Sequence, residues 1–160
     1  MEENLIFTDE EAEFLRELVR QKVDFMIVGL SAAALQGAPV VTQDVDLWFR
    51  NLGDPGIENA LKKVKGSYVS PVGTNPPMFA GKAVKLFDIV LRMHGLGPFE
   101  KEAVHCLRVP LGGQQVPVLS LDRIIRSKKA AGRQKDKLVL PVLTDTLTVI
   151  KERAKKGQRK

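Results

Sequence analysis

The sequence has only one cysteine, few aromatic residues and no long hydrophobic run. Cys106 lacks a second cysteine with which to form an internal disulfide, and the Cys-x-x-Cys pattern of zinc sites is absent. No apolar stretch approaches the roughly twenty residues that cross a bilayer. The acidic start also differs from a signal peptide, which begins with a basic stretch before an apolar block. We therefore expect a cytoplasmic protein that does not enter the membrane.

Length and charge set the next limits. The 160 residues suffice for one domain with a real core but hardly for two. We assign residues 1–150 to that domain and 151–160 to a basic C-terminal tail, which we expect to be solvated and mobile. The net charge of +6 favours anionic partners such as nucleotides or RNA. Because much of the excess lies in the tail, the basic balance alone does not establish nucleic-acid binding.

Apolar periodicity and turn residues predict helices that alternate with short strands. Thr8 and Glu11 form a capping box before a helix that continues to about Lys22, whereas residues 66–81 are rich in proline and glycine and predict a long loop. We expect an α/β (α+β) fold with a small mixed sheet, helices packed mainly on one side, and further helices at the C-terminal end. The predicted strands are 25–28, 45–49, 83–93, 106–109 and 115–119, and the predicted helices are 9–22, 31–36, 55–65, 120–131 and 137–153.

Asp44 and Asp46 are separated by one residue in a predicted strand, so both carboxylates should point to the same face. Two like charges held side by side repel, and a bound cation removes that cost. Carboxylate oxygens suit Mg²⁺, which takes its other ligands from water and from substrate phosphates. An isolated Asp-x-Asp is more often an exposed turn or a surface strand, so the interpretation depends on the neighbouring features.

Two neighbouring features favour a site for metal and phosphate. Gly29 and Ser31 lie where a buried strand gives way to a helix, and the free N–H groups there favour a phosphate. A plain helix cap, with Ser31 as the N-cap, is the alternative. Asp88 lies within an apolar strand, where an unpaired charge is costly to bury. An ion pair with Lys85 or Arg92 would explain it, and so would a metal shared with the first two aspartates.

Together these motifs resemble a known signature. The run VGLSAAALQG at 28–37, then TQDVD at 42–46, resembles that of the DNA polymerase beta-like nucleotidyltransferase superfamily. The group most similar in pattern is the small bacterial nucleotidyltransferases of the abortive-infection and toxin–antitoxin type (AbiEii-like). In that group a strand, a Gly-Gly turn and a short helix precede Thr-x-Asp-x-Asp, and a later strand supplies a third aspartate, which Asp88 matches. The resemblance covers roughly residues 10 to 150.

The resemblance implies a magnesium-dependent enzyme that moves a nucleoside monophosphate from a triphosphate to an acceptor hydroxyl and releases pyrophosphate. Asp44, Asp46 and Asp88 would hold two Mg²⁺ ions that stabilise the attacking and leaving oxygens. Gly29 and Ser31 would contact the β- and γ-phosphates. The acceptor in this family can be RNA, particularly a tRNA end, or a protein side chain.

The segment 120–136 resembles the basic C-terminal helix-turn-helix of the same family. On that resemblance Lys128, Arg133 and Lys135 would contact nucleotide phosphates or order Asp136. The alternative is a solvated basic helix with an ion pair at the surface.

Three positions depart from the family pattern. Leu30 replaces the second glycine of the turn, Gln36 replaces a histidine, and Val40 replaces an arginine. These departures leave room for a second hypothesis, a degenerate member that has lost turnover and binds a partner protein of a toxin–antitoxin pair. A third hypothesis is an RNA-binding protein that relies on the basic tail, with steeply salt-dependent affinity.

Two further side chains have open interpretations. Trp48 shares a strand face with Asp46 and would either stack on a base or pack at the rim of the site. His94 follows the Asp88 strand and would either face the site or lie at the surface.

Overall fold

A computed structural model describes residues 6–158 of the chain. Helices cover one central sheet, and a separate two-stranded sheet lies beside it. The strands are β1 (Phe25–Val28), β2 (Val45–Phe49), β3 (Ser67–Val69), β4 (Met78–Ala80), β5 (Phe87–Val90), β6 (Cys106–Leu111) and β7 (Gln114–Leu119). The helices are α1 (Asp9–Arg20), α2 (Gly29–Leu35), α3 (Pro55–Lys63), α4 (Phe99–Glu102), α5 (Leu121–Ala131) and α6 (Gln134–Gln158), with a short 3₁₀ turn at Ala103–His105.

The central sheet has five strands in the order β5-β2-β1-β7-β6. The β1 strand runs antiparallel to β2 and parallel to β7, while β2 runs parallel to β5 and β6 antiparallel to β7. All four residues of β1 are buried, as expected for an apolar strand at the centre of a covered sheet. The expected mixed α/β sheet is therefore confirmed.

The core forms where the first helix packs on the sheet. Thr8 caps α1 and Glu11 reaches back to the Thr8 amide, which confirms the predicted capping box. The apolar stripe of α1 is fully buried, with Phe14 packing edge-on against Phe79 at a ring-centroid distance of 5.5 Å. Phe79 belongs to β4, so the small second sheet contributes to the same core.

Two predicted segments near the middle of the chain differ from the structure. Residues 66–81 contain the β3–β4 hairpin rather than a continuous loop. Its strands have only three residues each, and the Pro- and Gly-rich stretch between them hides the pattern. The strand expected over 83–93 is limited to β5, because residues 82–86 form turns and the chain leaves the sheet after Val90.

The C-terminal helices also differ from the prediction in their extent. Gly132 takes the left-handed conformation (φ 61°) that ends α5, and α6 begins directly after Arg133 instead of at residue 137. It continues past the predicted end at residue 153 to Gln158, with Pro141 inside it. Residues 151–157 of the basic tail are thus helical and exposed. No helix among residues 6–158 is both long and apolar enough to cross a membrane.

Candidate active site

Two aspartates lie side by side on neighbouring strands. Asp46 of β2 and Asp88 of β5 are direct partners in the parallel register. Residues paired in this way point to the same sheet face, so both carboxylates project together. The residues that flank Asp46 in sequence, Val45 and Leu47, point into the core and are buried. The alternation of β2 thus separates a core face from a carboxylate face.

Neither carboxylate has a hydrogen-bond or ion-pair partner in the described part of the chain. Among residues 6–158, no side chain makes a hydrogen bond or ion pair to Asp46 or Asp88, so the expected alternative of a bridge from Lys85 or Arg92 to Asp88 is wrong. Burial, followed by the charge of Asp88, raises the pKa of the Asp46 carboxyl. Burial and the charge of Asp44 raise the pKa of Asp88. A cation between the carboxylates would relieve this repulsion.

Asp88 is more exposed than the sequence suggests. The apolar run around it predicts a buried aspartate, yet β5 is the edge of the sheet and the Asp88 side chain is open to solvent. Asp44 is also exposed and lies just before β2 rather than within it, where its backbone carbonyl accepts a hydrogen bond from the Thr42 hydroxyl at 2.6 Å. Within the described part of the chain, no three acidic, histidine or cysteine side chains form a cluster that could hold a metal ion by themselves.

The donor set nevertheless fits magnesium. Mg²⁺ typically takes one or two carboxylates from the protein and fills its octahedral shell with waters and substrate phosphates. Asp46 and Asp88 provide two such oxygens without competing protein partners, and Asp44 is near enough for its charge to raise the Asp46 pKa. The arrangement therefore suits a metal that arrives with a phosphate-bearing substrate.

The turn between β1 and α2 touches this carboxylate pair. Gly29 has φ +72°, and a Cβ placed on it would lie 2.6 Å from Oδ2 of Asp46. Only glycine allows both the left-handed backbone and this close approach. Ser31 is buried, and its hydroxyl donates to the Val28 carbonyl at 3.0 Å. It is not the N-cap, a position taken by Val28 without a side-chain bond, so the simple capping alternative is wrong.

We expect Gly29→Ala to lose triphosphate binding and to destabilise the fold by about 1–2 kcal/mol from the left-handed backbone alone. Gly73→Ala is the matched control, because Gly73 also has positive φ (+61°) but a Cβ added to it would meet no heavy atom within 4 Å. Urea denaturation of both variants separates the backbone cost from the contact with Asp46. Equal destabilisation and intact nucleotide binding in the two variants would contradict a close Gly29–Asp46 contact.

Basic residues face the carboxylates from α5 and α6. A cleft of about 220 Å³ is lined by Gly29, Asp46, Lys128 and Arg133, among others. The pKa of Asp46 is raised mainly by burial, and the charges of Lys128 and Lys135 offset part of this rise, so both lysines lie within electrostatic reach of it. The structure thus brings Gly29, Asp46, Lys128 and Arg133 around one opening, whereas Asp44, Asp88, Ser31 and Lys135 do not line it.

Lys128 and Arg133 are also held by a buried acid. Asp136 is 1% exposed, and its carboxylate accepts from Lys128 Nζ at 3.4 Å and from Arg133 Nε at 2.8 Å. It also accepts from the Arg133 backbone N–H at 3.1 Å, as an N3 residue does in a capping box. Asp136 therefore caps the start of α6 and holds both cations beside the cleft. This agrees with the expectation that Lys128 and Arg133 order Asp136, whereas Lys135 makes no hydrogen bond or ion pair to it among residues 6–158.

The comparisons with known proteins concern the fold. No protein-family model and no curated protein sequence matches the chain significantly. A candidate nucleotidyltransferase from Thermotoga maritima superposes with a TM-score of 0.57 at 21% identity, over 87% of this chain and 95% of that one. ANT(2″)-Ia in complex with adenylyl-2″-tobramycin gives a TM-score of 0.57 at 14% identity, over 87% and 88% of the two chains. The chain has the nucleotidyltransferase fold.

A fungal protein extends the comparison. A nucleotidyltransferase-like antigen from Paracoccidioides brasiliensis has a TM-score of 0.51 at 17% identity, over 89% of this chain and 78% of its own. The similarity spans most of each chain, so the shared fold covers most of this chain rather than one motif. At these identities the neighbours establish architecture, while site and substrate depend on this chain's own residues.

Within the nucleotidyltransferase fold, Gln36 has a role that the sequence does not reveal. Its side-chain amide donates to the carbonyls of Ala32 at 3.0 Å and Leu119 at 2.8 Å, and its carbonyl accepts from the Leu121 N–H at 2.9 Å. It therefore ties the end of α2 to β7 and to the first turn of α5, the helix that carries Lys128. The only sign of this role in the sequence is that Gln36 stands where the family pattern has a histidine.

The structure also shows where four further residues named in the sequence analysis lie. Trp48 is 2% exposed and packs edge-on against Phe99 at 5.7 Å, which agrees with the packing alternative and not with base stacking. His94 is exposed and lines the cleft. Leu30 is half-buried outside the core cluster, whereas Val40 packs against that cluster.

Proposed function

We propose that this chain is a magnesium-dependent nucleotidyltransferase that moves a nucleoside monophosphate from a triphosphate to an acceptor hydroxyl. The observation that carries the proposal is the in-register pair of Asp46 and Asp88 beside the Gly29 turn, with no hydrogen-bond or ion-pair partner for either carboxylate within residues 6–158. Carboxylates that repel one another next to the glycine turn at the start of α2 suit a cation that arrives with a phosphate. The nucleotidyltransferase fold of the neighbours supports this assignment.

Each group in the cleft has a role in this reaction. Asp44, Asp46 and Asp88 would hold two Mg²⁺ ions, which supply electrostatic stabilisation of the attacking and leaving oxygens. Gly29 and Ser31 belong to the turn whose backbone binds the β- and γ-phosphates, and Lys128, Arg133 and Lys135 balance their charge. The acceptor oxygen bonds to the α-phosphorus while the bond to the bridging oxygen breaks and pyrophosphate leaves. Asp88, the more exposed of the paired carboxylates, receives the hydroxyl proton.

The proposal includes a biological context that comes from the sequence resemblance. We place the chain near the AbiEii-like nucleotidyltransferases of toxin–antitoxin type, acting in the cytoplasm on RNA, in particular a tRNA end, or on a protein side chain. The complex of ANT(2″)-Ia with an adenylylated aminoglycoside adds a small polycationic acceptor as a third possibility.

A second candidate function is a catalytically inactive module that binds a partner protein of such a pair. Leu30 in the phosphate turn and the missing arginine at Val40 favour it. Exposed apolar side chains along α6 also offer a surface for a partner, namely Leu138 at 70%, Val149 at 45% and Ile150 at 36% exposure. The two candidates differ in whether the cleft binds a triphosphate.

Thermal unfolding with each of the four nucleoside triphosphates, with and without magnesium, tests the proposal. A ligand at a hundredfold above its dissociation constant should stabilise the wild type by roughly 2.7 kcal/mol. The shift should require magnesium and should disappear in Asp88→Asn, because this variant removes a metal ligand from an exposed position. Asp145→Asn, which changes an exposed aspartate on α6, is the matched control and should retain the shift.

The outcomes separate the two candidate functions. A magnesium-dependent shift that survives in Asp145→Asn but not in Asp88→Asn supports the enzyme and names its nucleotide. Absence of a shift with every triphosphate, in a protein that unfolds cooperatively, would overturn the enzyme and favour the partner-binding module.

A further inference from the structure

A second, larger cleft opens beside the first. It has a volume of about 670 Å³ and lies at the carboxyl ends of β2 and β5, under the loop 91–98. Three consecutive residues, Arg92, Met93 and His94, line both clefts. The two openings therefore share a wall, and a molecule in the second cleft would extend towards Asp46, the acidic residue that lines the first.

The charge of the second cleft is positive. Arg92 and His94 are exposed, and neither makes a hydrogen bond or ion pair within residues 6–158. Glu100 is the acidic residue that lines the cleft, and its carboxylate accepts from Arg50 Nε at 3.1 Å. A polycationic ligand would find no unpaired carboxylate there, whereas an anion would find an unpaired guanidinium.

The shared wall is held in place from behind. Gly95 takes φ +70° and lies so close to α5 that a Cβ would be 2.4 Å from the Cβ of Ala130, and its carbonyl accepts from Arg126. Two residues later, the Gly97 N–H donates to Glu102 at 2.9 Å. Glu102 is 3% exposed and forms a bidentate pair with Arg123 of α5. The loop that presents Arg92 is thus fixed to the helix that also carries the cations of the first cleft.

We propose that the second cleft is the acceptor site and that it selects an acceptor carrying a phosphate group, which Arg92 binds. Asp88 and Arg92 are four residues apart along β5 and its continuation, so their Cα atoms are separated by at most about 14 Å when the chain is extended. The acceptor would present its hydroxyl towards Asp88 and its phosphate towards Arg92. This inference rests on the proposed function and narrows its acceptor to an anion, either a nucleic-acid strand or a small phosphorylated hydroxyl compound.

Binding measurements without catalysis test the site directly. A labelled single-stranded oligoribonucleotide of about twelve nucleotides is titrated with wild type, Arg92→Ala and Arg108→Ala, with anisotropy as the readout. Arg92→Ala should weaken binding roughly tenfold, as expected for loss of one charge-assisted contact. The slope of log affinity against log salt concentration, measured between about 50 and about 200 mM salt, should also be shallower by about 0.7 in this variant. Arg108, exposed on the far edge strand β6, controls for net charge, and its substitution should change neither quantity.

A competition experiment distinguishes a nucleic-acid strand from a small phosphorylated acceptor. It also shows whether the acceptor site or the proposed reaction is wrong. Nucleoside monophosphate competes with the oligonucleotide at comparable concentration if the acceptor is small, and only at far higher concentration if it is a strand. Equal weakening by Arg92→Ala and Arg108→Ala, or use of tobramycin as an acceptor by wild type, would overturn the inference. If triphosphate binding is absent but Arg92-dependent oligonucleotide binding persists, the proposed reaction is refuted. The acceptor role of the second cleft is then refuted as well, and only a phosphate-binding site at Arg92 remains.

Discussion

Asp46→Asn should abolish nucleotidyl transfer and leave the folded domain at least as stable as the wild type. Loss of a carboxylate that holds the metal should reduce turnover by at least about a thousandfold. The stability should not fall, because burial and the neighbouring charge of Asp88 raise the Asp46 pKa, and a neutral amide removes both costs. Transfer is measured as pyrophosphate release and stability as the midpoint of thermal unfolding without ligand.

The combination of these two readouts makes the test specific. Asp145→Asn should keep both activity and midpoint, since Asp145 is an exposed aspartate on α6. A folded Asp46→Asn protein with full activity would refute the catalytic assignment of this pair. A large drop in its midpoint without ligand would instead show that Asp46 has a structural partner that the geometry does not contain.

Asp136→Ala should destabilise the domain by about 3 kcal/mol, because it leaves Lys128 and Arg133 beside the cleft without their buried counter-ion. The effect should depend on pH. Hydrogen bonds from Arg133 and the charge of Lys128 outweigh burial and lower the pKa of Asp136 to about 2. A depressed folded-state pKa contributes stability above the ordinary value near 4, and this stability is lost as the pH falls towards about 2.

Urea denaturation at several pH values measures this contribution. Wild type should lose stability over the window from about pH 4 to about pH 2, and Asp136→Asn should lack the share of that loss due to this carboxyl. Asp145→Ala provides the exposed comparison and should follow the wild type. If Asp136→Ala unfolds at the wild-type urea concentration, the ion pairs do not hold α6 in place.

The parts of the fold that local sequence determines are predicted well. The capping box before α1, the buried strand β1 and the glycine that ends α5 each follow from residues close together in the chain. The β3–β4 hairpin escapes prediction because three-residue strands carry too little periodicity to outweigh the prolines around them. The predicted start of α6 is late because the sequence predicts a break over residues 132–136, whereas the Asp136 carboxylate accepts from the Arg133 backbone N–H and caps the helix three residues earlier.

The candidate site shows the same difference between features set by nearby residues and features set by long-range packing. The sequence identifies Gly29, Asp46 and Asp88 as a set, and the structure brings them together. The sequence does not reveal that Gln36 joins three elements, because its partners at Leu119 and Leu121 are more than eighty residues away. The second cleft is also invisible in the sequence, since its cations become a shared wall only through the packing of Gly95 on α5.

The position of Asp88 at the rim of the sheet has a dynamic consequence. Its strand is supported by β2 alone, whereas Asp46 sits on a strand paired on both sides. Detaching β5 would break only one ladder of hydrogen bonds, but it would also remove the ring of Phe87, which is 2% exposed and lies 5.3 Å from the ring of Phe14, from the core. Phe87 thus anchors the edge strand directly next to Asp88, so the spacing of the carboxylate pair depends on the aromatic core as well as on strand pairing, and local opening of this edge costs more than its single ladder would suggest.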